Sequence, residues 1–420
     1  MEEVIKIEGG HRLKGTVRVS GSKNATVAVI PAAILASQGP VTICGVPSIS
    51  DVKSLAILLR ELNVKVEQKT EDTIEIDPTE MLNIPLEHDA VTKLRASYYF
   101  MGALLGKYGE VTMKMPGGCY LGPRPIDLHL KGFEALGATI EYIQGNYHIY
   151  AKELVGTNIF LDIASVGATI NIMMASVYAT GKTVIQNAAR EPEIIDVATL
   201  LNKMGAQIRG AGTEVITIEG VSELTGCVHE IIPDRIEAGT FIIMAASAAE
   251  EVTIENIIPL HLEALLSKLH EMGVDMSVDV DKVVIRKSED LKAVDIKTLP
   301  YPGFATDLQQ PITSLLTKAN GISNIKETIY AERFKHCAEL QRMGANIQIL
   351  PSASSVIGPS KLFGDRVIAT DLRCGASLVI AGLIAEGVTE IREIYHIDRG
   401  YENLDGKLCA LGAKIWREKI

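Results

Sequence analysis

The sequence lacks several features that would assign its class at once. Its N-terminus, Met1 to Lys6, has no basic segment followed by an apolar run, and no apolar stretch approaches the roughly 18 residues of a membrane-spanning helix. Its 6 cysteines and 9 histidines form no CxxC pair, no HExxH motif and no Cys/His cluster. The pattern therefore predicts neither a metal site nor a disulfide framework, and we expect a cytoplasmic protein with reduced thiols.

The chain also has fewer basic residues than acidic ones, with 41 Lys and Arg against 52 Asp and Glu. The formal net charge of −11 argues against nonspecific binding to nucleic acid, which requires a basic face. The stretch from Gly400 to Lys407 superficially resembles a phosphate loop, but Leu408 stands where that motif needs Ser or Thr. Any anionic ligand must therefore be held by a local positive pocket of another kind.

What the sequence does contain is a sixfold repeat. An apolar pair spaced i, i+3, followed by Gly or Asn, begins at Leu59, Phe133, Leu201, Leu269, Leu340 and Leu408, with spacings of 74, 68, 68, 71 and 68 residues. The pattern is typical of a helix that ends in a left-handed cap before a strand. Self-similarity at a fixed period indicates internal duplication.

Each repeat also contains an earlier helix that is apolar on nearly every face. A helix of this kind must be buried, so the strands and the amphipathic helices should surround it. A chain of 420 residues exceeds one core, and six units divide most simply into three plus three. The predicted helices cover 25–36, 96–105, 168–178, 238–248, 308–316 and 376–385.

Basic residues recur at the predicted starts of helices. Ser, Thr and Asp at such positions are explained by capping alone, but a basic side chain there opposes the helix dipole. Their repetition suggests an anion bound between them, while a plain surface ion pair stays open for each one. The residues are Lys23, Arg95, Arg124, Arg333 and Arg399.

The stretch 116–125 combines two glycines, one thiol and one guanidinium with two late prolines. Gly117 and Gly118 permit unusual backbone angles, whereas Pro123 and Pro125 stiffen the chain around its arginine. The composition predicts a loop that can cover a substrate. An ordinary turn with a buried thiol at Cys119 is the alternative.

Several of these motifs together resemble the enolpyruvyltransferase family over essentially the whole chain. They are Ser20–Ala25, Leu94–Ser97, Pro116–Cys119 with Arg124–His129, Ser165–Thr169, Glu191–Ile194, Pro233–Glu237, Thr306–Gln309 and His396–Tyr401. The resemblance implies an α/β protein of two inside-out barrel domains, each of three repeats, with buried helices and outer sheets. Domain one would be 23–232, carrying the Cys119 loop, and domain two 1–22 plus 233–420, carrying Asp307, with the site in the cleft between them.

The resemblance also implies the chemistry. The enolpyruvyl group of phosphoenolpyruvate would pass to the 3′-hydroxyl of UDP-N-acetylglucosamine, with release of phosphate and without cofactor or metal. Cys119 would be the general acid, able also to form a covalent adduct, and Asp307 the base. Lys23, Arg124 and Arg399 would hold phosphoenolpyruvate, with Asn24 and Arg95 nearby and Arg333 supporting. The remaining predicted contacts are Pro125, Ile126, Asp127, Leu128, Ser165, Val166, Ile329 and Asp371.

Two other interpretations remain open. One is 5-enolpyruvylshikimate-3-phosphate synthase, which shares the fold and the chemistry, although the loop thiol disfavours it. The other is a non-catalytic repeat scaffold that binds an anionic metabolite. The chain also has Ile163 where many relatives have Lys, and it lacks their basic residue near Ser50, so we expect interdomain ion pairing or nucleotide contacts to differ. We expect no nucleic-acid partner and no membrane insertion, and the sequence does not indicate protein partners.

Overall fold

The computed structural model describes residues 2–117 and 125–420, and within them the helices follow the repeat closely. In chain order the helices are α1 Lys23–Ala33, α2 Ser50–Glu61, α3 Asp89–Lys93, α4 Tyr99–Tyr108, α5 Asp127–Ala135, α6 Val166–Ser176, α7 Pro192–Lys203, α8 Arg235–Ala248, α9 Glu263–Met272, α10 Gln309–Leu316, α11 Lys335–Arg342, α12 Leu372–Ile384, α13 Tyr395–Asp398 and α14 Leu404–Ala410. Short 3-10 turns span Arg95–Tyr98, Pro259–Leu262 and Thr306–Leu308.

Strands alternate with these helices. In chain order they are β1 Glu3–Glu8, β2 Leu13–Arg18, β3 Val41–Cys44, β4 Lys65–Gln68, β5 Ile74–Asp77, β6 Glu110–Lys114, β7 Thr139–Ile143, β8 Asn146–Tyr150, β9 Asn158–Phe160, β10 Lys182–Gln186, β11 Gln207–Arg209, β12 Val215–Glu219, β13 Val228–Glu230, β14 Ala249–Glu255, β15 Met276–Val278, β16 Lys282–Arg286, β17 Ile296–Lys297, β18 Gly321–Lys326, β19 Asn346–Leu350, β20 Ala353–Gly358, β21 Arg366–Ile368, β22 Val388–Arg392 and β23 Lys414–Lys419.

The strands of the described residues form six small sheets with a common plan. The orders are β13-β3-β5-β4, β6-β8-β7, β11-β12-β10-β9, β15-β16-β14-β2, β17-β18-β20-β19 and β21-β22-β1-β23. Five of them join one parallel strand to three antiparallel ones. In the sheet of β6 the parallel strand is reduced to a bridge between Leu86 and Met113. The shared plan is the structural counterpart of the sequence repeat, in a mixed α/β fold.

The chain divides into two compact units. Among the described residues, the first unit comprises 21–117 and 125–232, and the second comprises 2–20 and 233–420. The N-terminal strands belong to the second unit, where β1 lies between β22 and β23. No helix in the described parts of the chain is long and apolar enough to cross a membrane.

Each unit has its own core, built around the apolar helices. In the first unit every residue of α1 from Ala25 to Ala33 is buried, and α6 is buried from Gly167 to its end. In the second unit α8 and α12 are buried over nearly their whole length. All six predicted buried helices are confirmed, with boundaries shifted by a few residues.

The predicted left-handed caps are confirmed as well. One or two positions after each closing helix, a residue has positive φ in every repeat: Asn63, Gly137, Gly205, Gly273, Gly344 and Gly412. Arg333 lies in the turn that enters α11, directly before its N-cap Phe334, as predicted. The placement of Arg399 at a helix start was wrong, because it directly follows the C-terminus of the short helix α13.

Candidate active site

The predicted site residues of the first unit lie near the starts of its buried helices. Lys23 is the first residue of α1, whose cap is Ser22, the side chain of which accepts a hydrogen bond from the amide of Ala25 at 3.1 Å. The Lys23 ammonium lies 3.5 Å from the carboxylate of Asp51, which is 4% exposed on its side chain. Asn24 follows in the same first turn. Lys23 is therefore held by a carboxylate that sequence reasoning missed.

Arg95 opens the 3-10 turn before α4 and reaches toward the predicted loop. Its Nη1 donates to the carbonyl of Pro116 at 3.2 Å. The next residue, Gly117, donates its amide to the carbonyl of Val91, and a Cβ at Gly117 would lie 1.6 Å from the carbonyl oxygen of Thr92. The chain thus enters the segment 118–124 from a fixed point beside Arg95. Cys119 and Arg124 themselves lie outside the described residues.

Behind Arg95 lies a buried histidine that positions two helices. The guanidinium of Arg95 lies over the ring of Tyr98, which contacts the ring of His129. The Nδ1 of His129 is 2.8 Å from the amide nitrogen of Asn171. Burial, reinforced by the charge of Arg95, lowers the pKa of His129 to about 3. The imidazole is therefore neutral and accepts the proton of the amide.

The remaining predicted contacts of the first unit flank the starts of α5 and α6. Ile126 is buried, whereas Pro125 and Asp127 are exposed and Leu128 is partly buried. Burial raises the pKa of Tyr147, as do Tyr142 and the charge of Asp127, whereas the charge of Arg95 lowers it. Ser165 caps α6 by accepting a hydrogen bond from the amide of Ala168, and Val166 is the first residue of that helix. Ile163 is 69% exposed.

In the second unit the candidate base is held by two arginines. Oδ1 of Asp307 is 2.8 Å from Nη1 of Arg333, and Oδ2 is 3.2 Å from Nη2 of Arg373. Both arginine side chains are 3% exposed, whereas that of Asp307 is 24% exposed. Two buried guanidinium groups thus converge on one carboxylate at a partly open place.

A buried glutamate orders the turn that carries Asp307. Glu327 is 2% exposed, and its Oε2 accepts a hydrogen bond from the hydroxyl of Thr306 at 2.9 Å. Its Oε1 accepts from the amide of Ile329 at 2.8 Å and from the hydroxyl of Thr298 at 2.7 Å. One carboxylate therefore ties Ile329, a predicted nucleotide contact, to the residue that precedes Asp307.

Asp371 and Arg399 are two further predicted site residues of the second unit. Asp371 caps α12, and its Oδ1 accepts from the backbone amides of Arg373 and Cys374 at 3.0 Å each. The cap thereby fixes the start of the helix from which Arg373 extends. Arg399 lies near His396, whose pKa is lowered first by burial and then by the charge of Arg399.

The structure thus brings together Asp307, Arg333, Thr306 and Ile329 in one unit, and Arg95 with the start of the loop in the other. Sequence reasoning missed Arg373, Glu327 and Asp51. The only available signal for Arg373 was its place two residues after Asp371, since its partner Asp307 is 66 residues away. Within 2–117 and 125–420, no group of three or more His, Cys, Asp or Glu side chains is arranged to hold a metal ion.

Comparison with known protein families agrees with the repeated α/β units and with the carboxylate bound by two arginines. The model of the family described as EPSP synthase (3-phosphoshikimate 1-carboxyvinyltransferase) matches residues 7–408. The chain belongs to this family of carboxyvinyl, or enolpyruvyl, transferases, and the resemblance drawn from its motifs is confirmed.

Closely similar relatives carry a more specific name. "UDP-N-acetylglucosamine 1-carboxyvinyltransferase 2" of Geobacillus kaustophilus (strain HTA426) is 58% identical over 416 residues, covering 99% of this chain and 97% of the relative. The protein of the same name from Bacillus subtilis (strain 168) is 56% identical over 419 residues, covering 100% and 97%.

Solved structures agree on the fold. The enolpyruvyl transferase NikO from Streptomyces tendae superposes with a TM-score of 0.91 at 28% identity, covering 100% of this chain and 99% of that one. EPSP synthase from Acinetobacter baumannii gives a TM-score of 0.77 at 18% identity over 100% of both chains, which is a likeness of fold alone.

Proposed function

We propose that the chain transfers the enolpyruvyl group of phosphoenolpyruvate to the 3′-hydroxyl of UDP-N-acetylglucosamine and releases phosphate. The observation that carries this proposal is identity of 56% to 58% over nearly the full length with relatives of that name. Such a reaction would be the first committed step of peptidoglycan precursor synthesis, and we propose a cytoplasmic location for it.

The proposed reaction is an addition followed by an elimination. The Cys119 thiol protonates the methylene carbon of phosphoenolpyruvate, and the neighbouring carbon gains positive character. The sugar hydroxyl oxygen attacks that carbon while Asp307 accepts the hydroxyl proton. The tetrahedral adduct then loses phosphate, and a proton leaves its methyl group to restore the double bond.

The geometry around Asp307 supports its proposed role. A general base must be ionised and held in a fixed orientation, and two buried guanidinium groups at 2.8 and 3.2 Å favour both conditions. Arg333 and Arg373 are therefore proposed as residues that position Asp307.

Basic residues would hold the anionic substrate. We propose that Lys23, Arg124 and Arg399 bind the phosphate and carboxylate of phosphoenolpyruvate, with Asn24 and Arg95 close by. The ion pair of Lys23 with Asp51 at 3.5 Å supports this, because it keeps the ammonium in place. The sugar nucleotide would contact Pro125, Ile126, Asp127, Leu128, Ser165, Val166, Ile329 and Asp371.

The finer architecture is part of the same proposal. We propose that domains 23–232 and 1–22 plus 233–420 are each an inside-out α/β barrel of three repeats. The proposed acid belongs to the first domain and the proposed base to the second, so both must act on one substrate. We therefore propose that the sugar nucleotide draws the domains together.

Phosphate release tests the proposal. Wild-type protein with phosphoenolpyruvate should release phosphate when UDP-N-acetylglucosamine is added, and should release none with shikimate 3-phosphate. Cys119→Ser and Asp307→Asn should abolish release, whereas Cys409→Ser, which removes an exposed thiol, should not. Release with shikimate 3-phosphate would favour the sister enzyme, and no release with either acceptor would favour a non-catalytic scaffold.

A further inference from the structure

The second unit contains a pocket that the proposed reaction does not use. It has a volume of about 440 Å³ and lies between helix α9 and the strands β17 and β18. Its apolar floor includes Ala264, which is partly buried, and Phe304, which is 5% exposed. None of its lining residues is among the candidate active-site residues. The volume is within the range of about 300–1,000 Å³ usual for small-molecule sites.

Two lysines face each other at this pocket. Lys297 and Lys326 are register partners in the parallel pair of β17 and β18, and both line the pocket. The residues before them, Ile296 and Ile325, are buried, so the alternation of the strands turns both lysines outward. In the described residues no carboxylate pairs with either amino group. Like charges placed opposite each other weaken strand pairing.

The other charges of the pocket do not cancel this pair. Lys268 also lines the pocket, and it is paired at 3.2 Å with Glu271, which is not a lining residue. The one lining carboxylate, Asp295, accepts hydrogen bonds from the backbone and side-chain nitrogens of Asn324 at 2.8 and 3.1 Å. The pocket therefore has an apolar floor, a positive rim and a surplus of cationic groups.

We propose that this pocket binds a small phosphate monoester with an apolar body. The dianionic phosphate would bridge Lys297 and Lys326, and the apolar body would lie against Phe304 and Ala264. Two facing ammonium groups match a dianion better than they match a single carboxylate. Binding would remove the repulsion across a strand pair that is only two residues long.

The pocket is also adjacent to the network that holds the Asp307 turn. Thr298 follows Lys297 and Glu327 follows Lys326, and the Thr298 hydroxyl donates to Glu327 at 2.7 Å. The same carboxylate accepts from the amides of Ile329 and Tyr330. A ligand that stabilises the pairing of β17 and β18 should therefore also protect these two amides from exchange. This inference concerns binding and does not depend on the proposed reaction.

Calorimetric titration with phenyl phosphate tests the site directly. Wild-type protein should bind one equivalent, at least tenfold more tightly than it binds inorganic phosphate or phenol. Lys297→Ala/Lys326→Ala should weaken binding at least tenfold, whereas Lys297→Arg/Lys326→Arg should largely retain it. The matched control Lys14→Ala/Lys419→Ala removes two exposed lysines elsewhere in the unit and should bind as wild type does.

Hydrogen exchange supplies the second measurement. Phenyl phosphate should slow exchange of the Ile329 and Tyr330 amides at least threefold in the wild type and not in Lys297→Ala/Lys326→Ala. Unchanged affinity in that double variant would place the probe elsewhere and overturn the proposal. Equal binding of inorganic phosphate would overturn the role of the apolar floor, and unaltered exchange on binding would overturn the link to the Asp307 turn.

Discussion

The carboxylate of Asp307 accepts a hydrogen bond from Nη2 of Arg373 at 3.2 Å, across 66 residues of sequence. Arg373 extends from the start of a buried helix that Asp371 caps, and its guanidinium lies over the ring of Tyr401. Arg373 is therefore held by the capped start of its helix, by the ring of Tyr401 and by the carboxylate of Asp307. Asp307 is the more exposed partner, so its orientation follows from that of the arginine.

Arg373→Met should lower kcat for phosphate release at least tenfold. The substitution removes one of the two guanidinium groups that orient Asp307 and leaves that of Arg333. Loss of a buried partner should also lower the free energy of unfolding by about 3 kcal/mol. Because a neighbouring cation favours the ionised carboxylate, the acid limb of the pH–rate profile should move to higher pH.

The matched control for this change is Arg366→Met, which removes an arginine that is 74% exposed in the same unit. It should leave both the rate and the acid limb unaltered. A purely structural Arg373 would lower stability without moving the acid limb, and that result would contradict the positioning role.

Gly117→Ala should reduce phosphate release more than tenfold. The added Cβ would meet the carbonyl oxygen of Thr92 at 1.6 Å, so the backbone must shift where the chain enters the segment that contains Cys119. Gly145→Ala is the control, since nothing lies within 4 Å of a Cβ there and only its positive φ, 85°, costs about 1 kcal/mol. Kinetics and urea unfolding of both variants separate activity from stability. Equal activity of the two variants would show that the entry point does not matter.

Acid should destabilise both units through buried histidines. Burial lowers the pKa of His129 and of His336 to about 3, against 6.5 for the unfolded chain. Between these values the unfolded state takes up a proton that the folded state does not, so stability falls as pH drops below 6.5. The loss is about 2 kcal/mol per histidine at pH 5.

Urea unfolding at pH 7.5 and pH 5 measures this loss. His129→Gln should reduce the pH dependence of the first unit, whereas His270→Gln, at an exposed position, should not change that of the second. Identical pH dependence of wild type and His129→Gln would contradict a neutral buried imidazole.

Fosfomycin should alkylate one cysteine, Cys119, when UDP-N-acetylglucosamine is present. Burial raises the pKa of Cys337 and of Cys374 to about 12, so neither forms the reactive thiolate. Intact mass should show a single adduct, which peptide mapping should assign. No adduct in the wild type, or an adduct retained in Cys119→Ser, would remove the thiol from the proposed mechanism.

Much of the fold was predictable because its signals are local. Apolar residues on every face of a helix, and glycine at the cap, act within one turn of the chain, and the structure follows both in all six repeats. Helix starts were less reliable. Arg399 has sequence neighbours that suit a helix start, but the chain turns further before α14 begins at Leu404.

The candidate site was predictable only in part. Motifs indicated Asp307, Arg333 and Arg95 as individual residues, and these stay predictions for catalysis and binding. The partners of Asp307 and Lys23 were not predictable, since Arg373 and Asp51 approach them only through the packing of separate helices. Glu327 was missed because a single glutamate after a strand has no distinctive pattern.

The sequence by itself determined the sixfold duplication, the burial of one helix in each repeat and the family, because periodicity, capping and motifs are properties of neighbouring residues. Tertiary structure alone decided which charges meet. Two arginines converge on Asp307, and Lys297 faces Lys326, because strand register and helix packing bring together side chains that are distant along the chain. Electrostatic energy depends on distance in space, and sequence separation does not give that distance.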